Sequence, residues 1–185
     1  MLPMDRKLRN SKTKKHTAYE KSRRLKEKRH CGDATIDILK CRFEIKQSAV
    51  DQLNAYAQNE GNELCGVLTG SQVGENRFRI SKVSPPCVVK NGRYGCELDA
   101  ARGNEFITQD YEVSCQTRFY IGEWHTHPEN NPHPSQADYD SIVKSFTSAQ
   151  LSTPLLVMII IGTEDIYYGV YNGLVFEKIE PEVVE

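Results

Sequence analysis

The 185-residue sequence has no run of eighteen apolar residues and does not open with the charged, apolar and small-residue succession of a secretory signal. Neither insertion nor export is therefore expected, and the chain reads as cytoplasmic with no membrane partner. Six cysteines stand at positions 31, 41, 65, 87, 96 and 115, yet no two form a Cys-x-x-Cys pair, which argues against a structural zinc knuckle and against a thioredoxin-like redox site. In a reducing compartment they are expected as free thiols, several of them buried. Internal repeats are lacking as well, and low complexity is confined to the first thirty residues. The length suits one domain with an ordinary core.

A net charge of −1 conceals a division. Residues 1–30 carry twelve Lys and Arg against three Asp and Glu, whereas residues 31–185 carry twelve against twenty-two, so a segment near +9 precedes a body near −10. Almost without apolar residues, the basic segment buries too little surface to fold alone and is expected to be disordered or a frayed helix. Two roles are open to it: an arm that solubilises or neutralises the acidic body, or a contact for nucleic acid or another acidic partner. Tyr19 is its one aromatic for base stacking, which weakens the case for single-stranded nucleic acid. The expected organisation is a basic tail at 1–33, a folded domain at 34–180 and a frayed end at 181–185.

Apolar periodicity supplies the elements. Ile36 and Ile38, then Cys41, Phe43 and Ile45, alternate with one slip of phase, as a strand or bent hairpin limb over 35–45 would. Ala49, Val50, Leu53, Tyr56 and Ala57 mark a helix over 48–59, opened by a Ser48-x-x-Asp51 box and closed by Gly61. Strands over 64–69 and 77–83 follow, joined through Gly70 and Gly74, and then 84–98 reads as irregular, with Pro85-Pro86, Gly92 and Gly95. Asp99 is placed to cap a helix reaching about Ser114, with Gly103 a weak point in its middle. A strand over 118–124, a helix from Ser135, a strand over 155–161 buried on both faces, and a hairpin over 166–179 complete the series. Asn172-Gly173 is expected to turn that hairpin as type I′. This order makes an α/β sheet sandwiched by helices.

The chemistry is concentrated in Ile121–Asp138, IGEWHTHPENNPHPSQAD. His125 and His127 stand two apart at the end of a strand, so both imidazoles leave on one face as a chelating pair. Eleven positions on, beyond a loop stiffened by Pro128, Pro132 and Pro134, Asp138 offers a carboxylate. Two neutral imidazoles and a carboxylate suit zinc and leave one tetrahedral corner for water, the mark of a catalytic site. Taken singly, each part has an ordinary explanation: His-x-His as surface residues, Ser135-x-x-Asp138 as a capping box. Capping and ligation are compatible, because a helix start also holds Asp138 in place. Glu63 beside a turn would ordinarily be solvated, and its value depends on strand pairing that brings positions 63 and 125 together. Cys65 reads as a buried strand residue, not a nucleophile.

His125-x-His127, seven residues, Ser135, two residues and Asp138, with Glu63-Leu-Cys-Gly66 upstream, resembles the JAMM (MPN+, JAB) metalloproteases over roughly 48–179. The wording Gly122-Glu-Trp-His-Thr-His-Pro-Glu129 looks most like short bacterial JAB proteins of anti-phage CBASS operons. The resemblance implies an α/β, cytidine-deaminase-like JAB/MPN fold with a mixed central sheet flanked by helices. It implies one Zn2+ held by His125, His127 and Asp138, Glu63 as general acid/base, and Ser135 as oxyanion donor. Arg93 and Tyr94 fall where related enzymes carry a substrate-contacting insertion and are candidates for gripping the substrate tail; an ordinary surface loop is the competing description. The implied reaction is that of a deubiquitinase-like isopeptidase that cleaves after the C-terminus of a conjugated protein. In CBASS that protein is a cGAS-like nucleotidyltransferase attached by an E1–E2 fusion partner. Three alternatives stand beside this: a protease for a bacterial ubiquitin-like modifier, a RadC-like DNA-associated JAB protein, and a metal-free MPN scaffold. The segment 127–138 also resembles the RadC-like proteins, but no helix-hairpin-helix precedes it and Glu-Trp before the first histidine is foreign to them. Against the scaffold, no ligand is missing.

Overall fold

A computed structural model describes residues 35–58 and 60–185; the basic tail at 1–33, expected to be disordered, and Cys31 lie outside the described residues. The first limb divides where the apolar alternation slips. A 3-10 turn over Ile38–Lys40, opened by the Asp37 carboxylate accepting from the Leu39 N–H, bends the chain into strand β1 (Arg42–Lys46). Helix α1 (Gln47–Ala55) follows and buries Ala49 and Leu53. The expected Ser48-x-x-Asp51 cap does not form: the helix starts one residue earlier, and Asp51 instead accepts from the Gln47 side chain at 2.8 Å.

Strand β2 (Cys65–Gly74) extends past the expected Thr69, and β3 (Arg77–Val83) has its expected bounds. Residues 84–87 are irregular, as expected, but 88–98 are not. They form a two-stranded hairpin, β4 (Val88–Gly92) with β5 (Gly95–Leu98), outside the main sheet. Helix α2 (Ala100–Val113) is capped by Asp99, whose carboxylate accepts from the Ala101 and Arg102 N–H groups. Its Gly103 faces β2 so closely that a Cβ there would meet Val67 Cγ1 at 3.1 Å, so the glycine that weakens the helix locally lets it settle on the sheet.

Strand β6 (Phe119–Thr126), helix α3 (Gln136–Ser148), and strands β7 (Leu156–Ile161), β8 (Ile166–Tyr171) and β9 (Phe176–Lys178) follow. Between β8 and β9 the corner falls at Gly173 and Leu174, one residue later than expected. Asn172 donates its N–H to the Val175 carbonyl, while its side chain accepts from the Leu174 and Val175 N–H groups. Of these two corner residues Gly173 alone is left-handed, at φ +92°, so the expected type I′ turn, which needs two such residues, is not formed. The C-terminal end is also not frayed: β10 (Glu182–Val184) pairs parallel with β1, Glu44 to Lys46 facing Glu182 to Val184.

The main sheet runs β10-β1-β3-β2-β6-β7-β8-β9. Parallel pairs β10/β1, β1/β3 and β6/β7 mix with antiparallel β3/β2, β2/β6, β7/β8 and β8/β9. β7 lies inside it. Val157, Ile159 and Ile161 join Leu53 and Trp124 on one face, and Leu156, Met158 and Ile160 join Ile142 and Tyr171 on the other. Its unbroken apolar run is thereby explained, since a strand covered on both sides gains roughly 1.5–3 kcal/mol for each large side chain it buries. Helix α1 covers the first face. Helices α2 and α3 cover the second, giving the mixed central sheet flanked by helices that the sequence implies. Among the described residues no helix is long and apolar enough to cross a membrane.

Candidate metal centre

Antiparallel pairing of β2 with β6 sets Cys65 opposite His125, and so brings Glu63, just upstream of β2, to the end of β6. Leu64 and Thr126 lock this junction: the Leu64 N–H donates to Thr126 Oγ1, and the Thr126 N–H to the Leu64 carbonyl, both at 2.9 Å. On the other side the His127 N–H donates to the Ile161 carbonyl at 2.9 Å. β6 runs to Thr126, two residues beyond expectation, so His125 is held inside the strand and His127 just past it. Their rings lie side by side, centroids 4.9 Å apart.

Asp138 arrives from the first turn of α3. Both halves of the Ser135 capping box are present: the Ser135 hydroxyl accepts from the Asp138 N–H at 3.3 Å, and Asp138 Oδ2 accepts from the Ser135 N–H at 2.6 Å. The same carboxylate faces the histidines, with Oδ1 3.1 Å from His125 Nε2 and Oδ2 3.6 Å from His127 Nε2. One ligand atom from each of the three residues lies within 4.8 Å of the others. Capping and convergence therefore coexist.

Whether these residues fit a metal is decided by His125. Its Nε2 is buried, and although Asp138 is close, the approach lacks the alignment of a hydrogen bond, so the nitrogen has no hydrogen-bond partner. An unmatched buried polar atom costs about 1–3 kcal/mol, which a cation between the three groups would offset. Burial, then the neighbouring His125, pushes His127 down towards its neutral, ligating form, against the opposing charges of Asp138 and Glu129. Burial works to raise Asp138, but His125 and the Ser135 contacts overrule it and hold the carboxyl well below the usual range, ionised. Two imidazoles and an anionic carboxylate oxygen form a donor set compatible with metal coordination.

Glu63 is 6 % exposed. Burial foremost, then the charges of Asp138 and Glu129, push its carboxyl up to about 7, with His125 opposing. A carboxyl titrating there is suited to taking and returning a proton near neutrality. Gly66 has a steric reason: a Cβ on it would collide with the Ser84 hydroxyl and the indole nitrogen of Trp124, which stacks on Tyr56 with ring centroids 4.7 Å apart.

These groups line a cleft of about 250 Å³ that includes Glu63, His125, His127, Ser135 and Asp138. Tyr94 reaches the same cleft from the tip of the β4–β5 hairpin, 83 % exposed, with the Arg93 guanidinium 5.7 Å from its ring centroid. Arg93 itself is exposed beside Tyr94 and does not line the cleft. Cys41, Cys65, Cys87, Cys96 and Cys115 are free thiols, and contact with Cys65 together with burial pushes the Cys96 thiol up, away from nucleophilic form. Sequence reasoning missed Glu129, which lines the cleft and adds to the charge on Glu63. It also missed Asn91, whose side chain reaches the Glu63 backbone. No periodicity marks either, and Glu129 entered only as the last residue of the Gly122–Glu129 wording, with no role assigned to it.

Residues 46–170 match the family described as prokaryotic homologs of the JAB domain. A "CD-NTase/cGAS isopeptidase" of Escherichia coli is 33% identical over 138 residues, covering 72% of this chain and 85% of that protein. A protein of the same description from Vibrio cholerae is 30% identical over 149 residues, covering 76% and 90%. The solution structure of a Desulfitobacterium hafniense protein, 19% identical, matches 77% of this chain and 93% of its own with a TM-score of 0.58, and so shares the fold.

Proposed function

This chain belongs to the family of prokaryotic homologs of the JAB domain, and from that premise we propose that it is a zinc-dependent isopeptidase of the JAMM type. Its substrate in this reading is a conjugate of a cGAS-like nucleotidyltransferase in anti-phage defence, cut just after the C-terminus of that protein; the Escherichia coli and Vibrio cholerae relatives are each described as a "CD-NTase/cGAS isopeptidase", which supports the nucleotidyltransferase as target. The observation that carries the reading is the convergence of His125, His127 and Asp138 within 4.8 Å in the cleft that Glu63 lines.

His125, His127 and Asp138 would hold one zinc ion. When bound, that ion supplies Lewis acidity and a water acidified to a pKa of about 7. Glu63 takes a proton from the attacking water and returns it to the lysine amine as the isopeptide C–N bond breaks. The Ser135 hydroxyl, already accepting from the Asp138 N–H, keeps its own proton to donate to the developing oxyanion, a contribution of about 3 kcal/mol for a donor of this kind. Arg93 and Tyr94 grip the extended tail as it enters the cleft. An E1–E2 fusion protein would supply the conjugate, and the cytoplasm is the compartment that goes with this chemistry.

The test is incubation of the purified chain with a nucleotidyltransferase fused at its C-terminus to a second protein, with and without a chelator, beside Glu63→Ala and His125→Ala. Cleavage at the junction is expected, and its loss with chelator and in both variants. Chelator-insensitive cleavage, or full activity in both variants, would overturn the mechanism. Cleavage of a ubiquitin-like modifier fusion in place of this one would keep the chemistry and change the substrate.

A further inference from the structure

We propose that Asn91 is a positioning residue for the general acid/base: together with the Gly92 carbonyl it clasps the Glu63 backbone from the β4–β5 hairpin. The inference rests on the role given to Glu63 above. Glu63 lies before β2 begins, outside the strand ladder, and follows three exposed residues, Glu60, Gly61 and Asn62. Gly61 is left-handed at φ +110°, with nothing near its missing Cβ, so this approach gives Glu63 little support. Beyond the Leu64–Thr126 bonds one residue on, what holds it comes from the hairpin. The Glu63 N–H donates to the Gly92 carbonyl at 2.9 Å, and Asn91 Nδ2 donates to the Glu63 carbonyl at 2.9 Å.

Asn91 pairs with Cys96 through its backbone inside the hairpin, yet its side chain leaves the hairpin to make this bond. An amide donor is required at this distance, and Ala offers none. At its root the hairpin is tied to the same strand, since the Cys87 N–H donates to the Cys65 carbonyl at 2.8 Å. Hairpin and Glu63 thus make one mechanical unit. Arg93 and Tyr94 follow the clasp directly in sequence, so whatever seats on the tip bears on the residue that moves the proton.

In full-length Asn91→Ala, kcat on the fusion substrate is expected to fall about tenfold to a hundredfold, the scale of a small misplacement of a reacting group. KM and zinc affinity, read by competition with a chromophoric chelator, should stay within about twofold of wild type. Tyr94→Ala should do the reverse and raise KM. Asn91→Asp should lose more than Asn91→Ala, because its carboxylate would face the Glu63 carbonyl oxygen. Independently of cleavage, amide hydrogen exchange at Glu63 should quicken about tenfold or more in Asn91→Ala while Val67–Thr69 in β2 stays protected. Wild-type kcat with wild-type exchange at Glu63 would overturn the proposal, as would loss of zinc affinity or protection across β2 in step with kcat. If the wild-type chain shows no chelator-sensitive cleavage, the isopeptidase reading fails and exchange at Glu63 alone decides the clasp.

Discussion

At the scale of single residues, the burial that raises Glu63 also has a thermodynamic consequence. In metal-free protein its carboxyl stays protonated up to about 7, whereas in the unfolded chain it ionises near ~4.3. Between those values the folded state binds more protons, so stability falls as pH rises through that window. Glu63→Gln should lack this part of the decline. Urea midpoints at pH 5 and pH 8 in the presence of chelator measure it, and parallel curves for the two proteins would refute it. Gly66→Ala is expected to cost about 1–3 kcal/mol, because its methyl would enter the space of Trp124 and Ser84; chemical denaturation reads this directly. His125, His127, Ser135 and Asp138 were legible in the sequence because their geometry is local, a spacing of two on a strand and of three at a helix start. The neighbours of Glu63 were not. Its meeting with His125 depends on strand register, and its bonds to Asn91 and Gly92 join positions almost thirty residues apart.

At the scale of elements, α2 is joined to β2 and to the residue just before β6 by one polar cluster. Thr69 Oγ1 and Arg118 Nε donate to Asp110 Oδ2 at 2.5 and 2.8 Å, while Arg118 also donates to Oδ1. Burial would raise the Asp110 carboxyl, but the bonds from Arg118 and Thr69 outweigh it and depress it. A depressed carboxyl contributes stability above the ordinary carboxylate range and loses it as pH falls through its lowered value. Asp110→Asn should therefore be less stable than wild type by about 2 kcal/mol at pH 7, with the gap closing below about pH 4. Denaturation at pH 7 and pH 3 checks both halves. The Asp99 and Ser135 caps could be read from sequence, since each acts on the next turn of its own helix. The β4–β5 hairpin could not, because Val89 and Lys90 are exposed and the alternation of half-buried Cys96 and Leu98 in β5 spans only four residues. β10 was hidden for a similar reason: its partner β1 lies at the opposite end of the domain sequence, and its own residues are mostly exposed.

For the molecule as a whole, the candidate ligands come from β6, the residue just after it, and the start of α3, so they come together only when the domain is folded. An ion that binds the folded state alone stabilises it by mass action, about 2.7 kcal/mol at one hundred times its dissociation constant. Zinc should accordingly raise the urea midpoint of the wild-type chain and leave Asp138→Ala unmoved; equal shifts in both would place the ion elsewhere. The doubly covered strand β7 has the opposite bearing once the fold opens. Leu155–Ile161 is seven apolar residues without charge or proline, the composition of a cross-β aggregation nucleus when exposed to other chains. Heated solutions should cloud instead of recovering on cooling, and the apparent melting temperature should climb with scan rate. The strand buried on both faces of the domain is thus the one expected to make its thermal unfolding a one-way event.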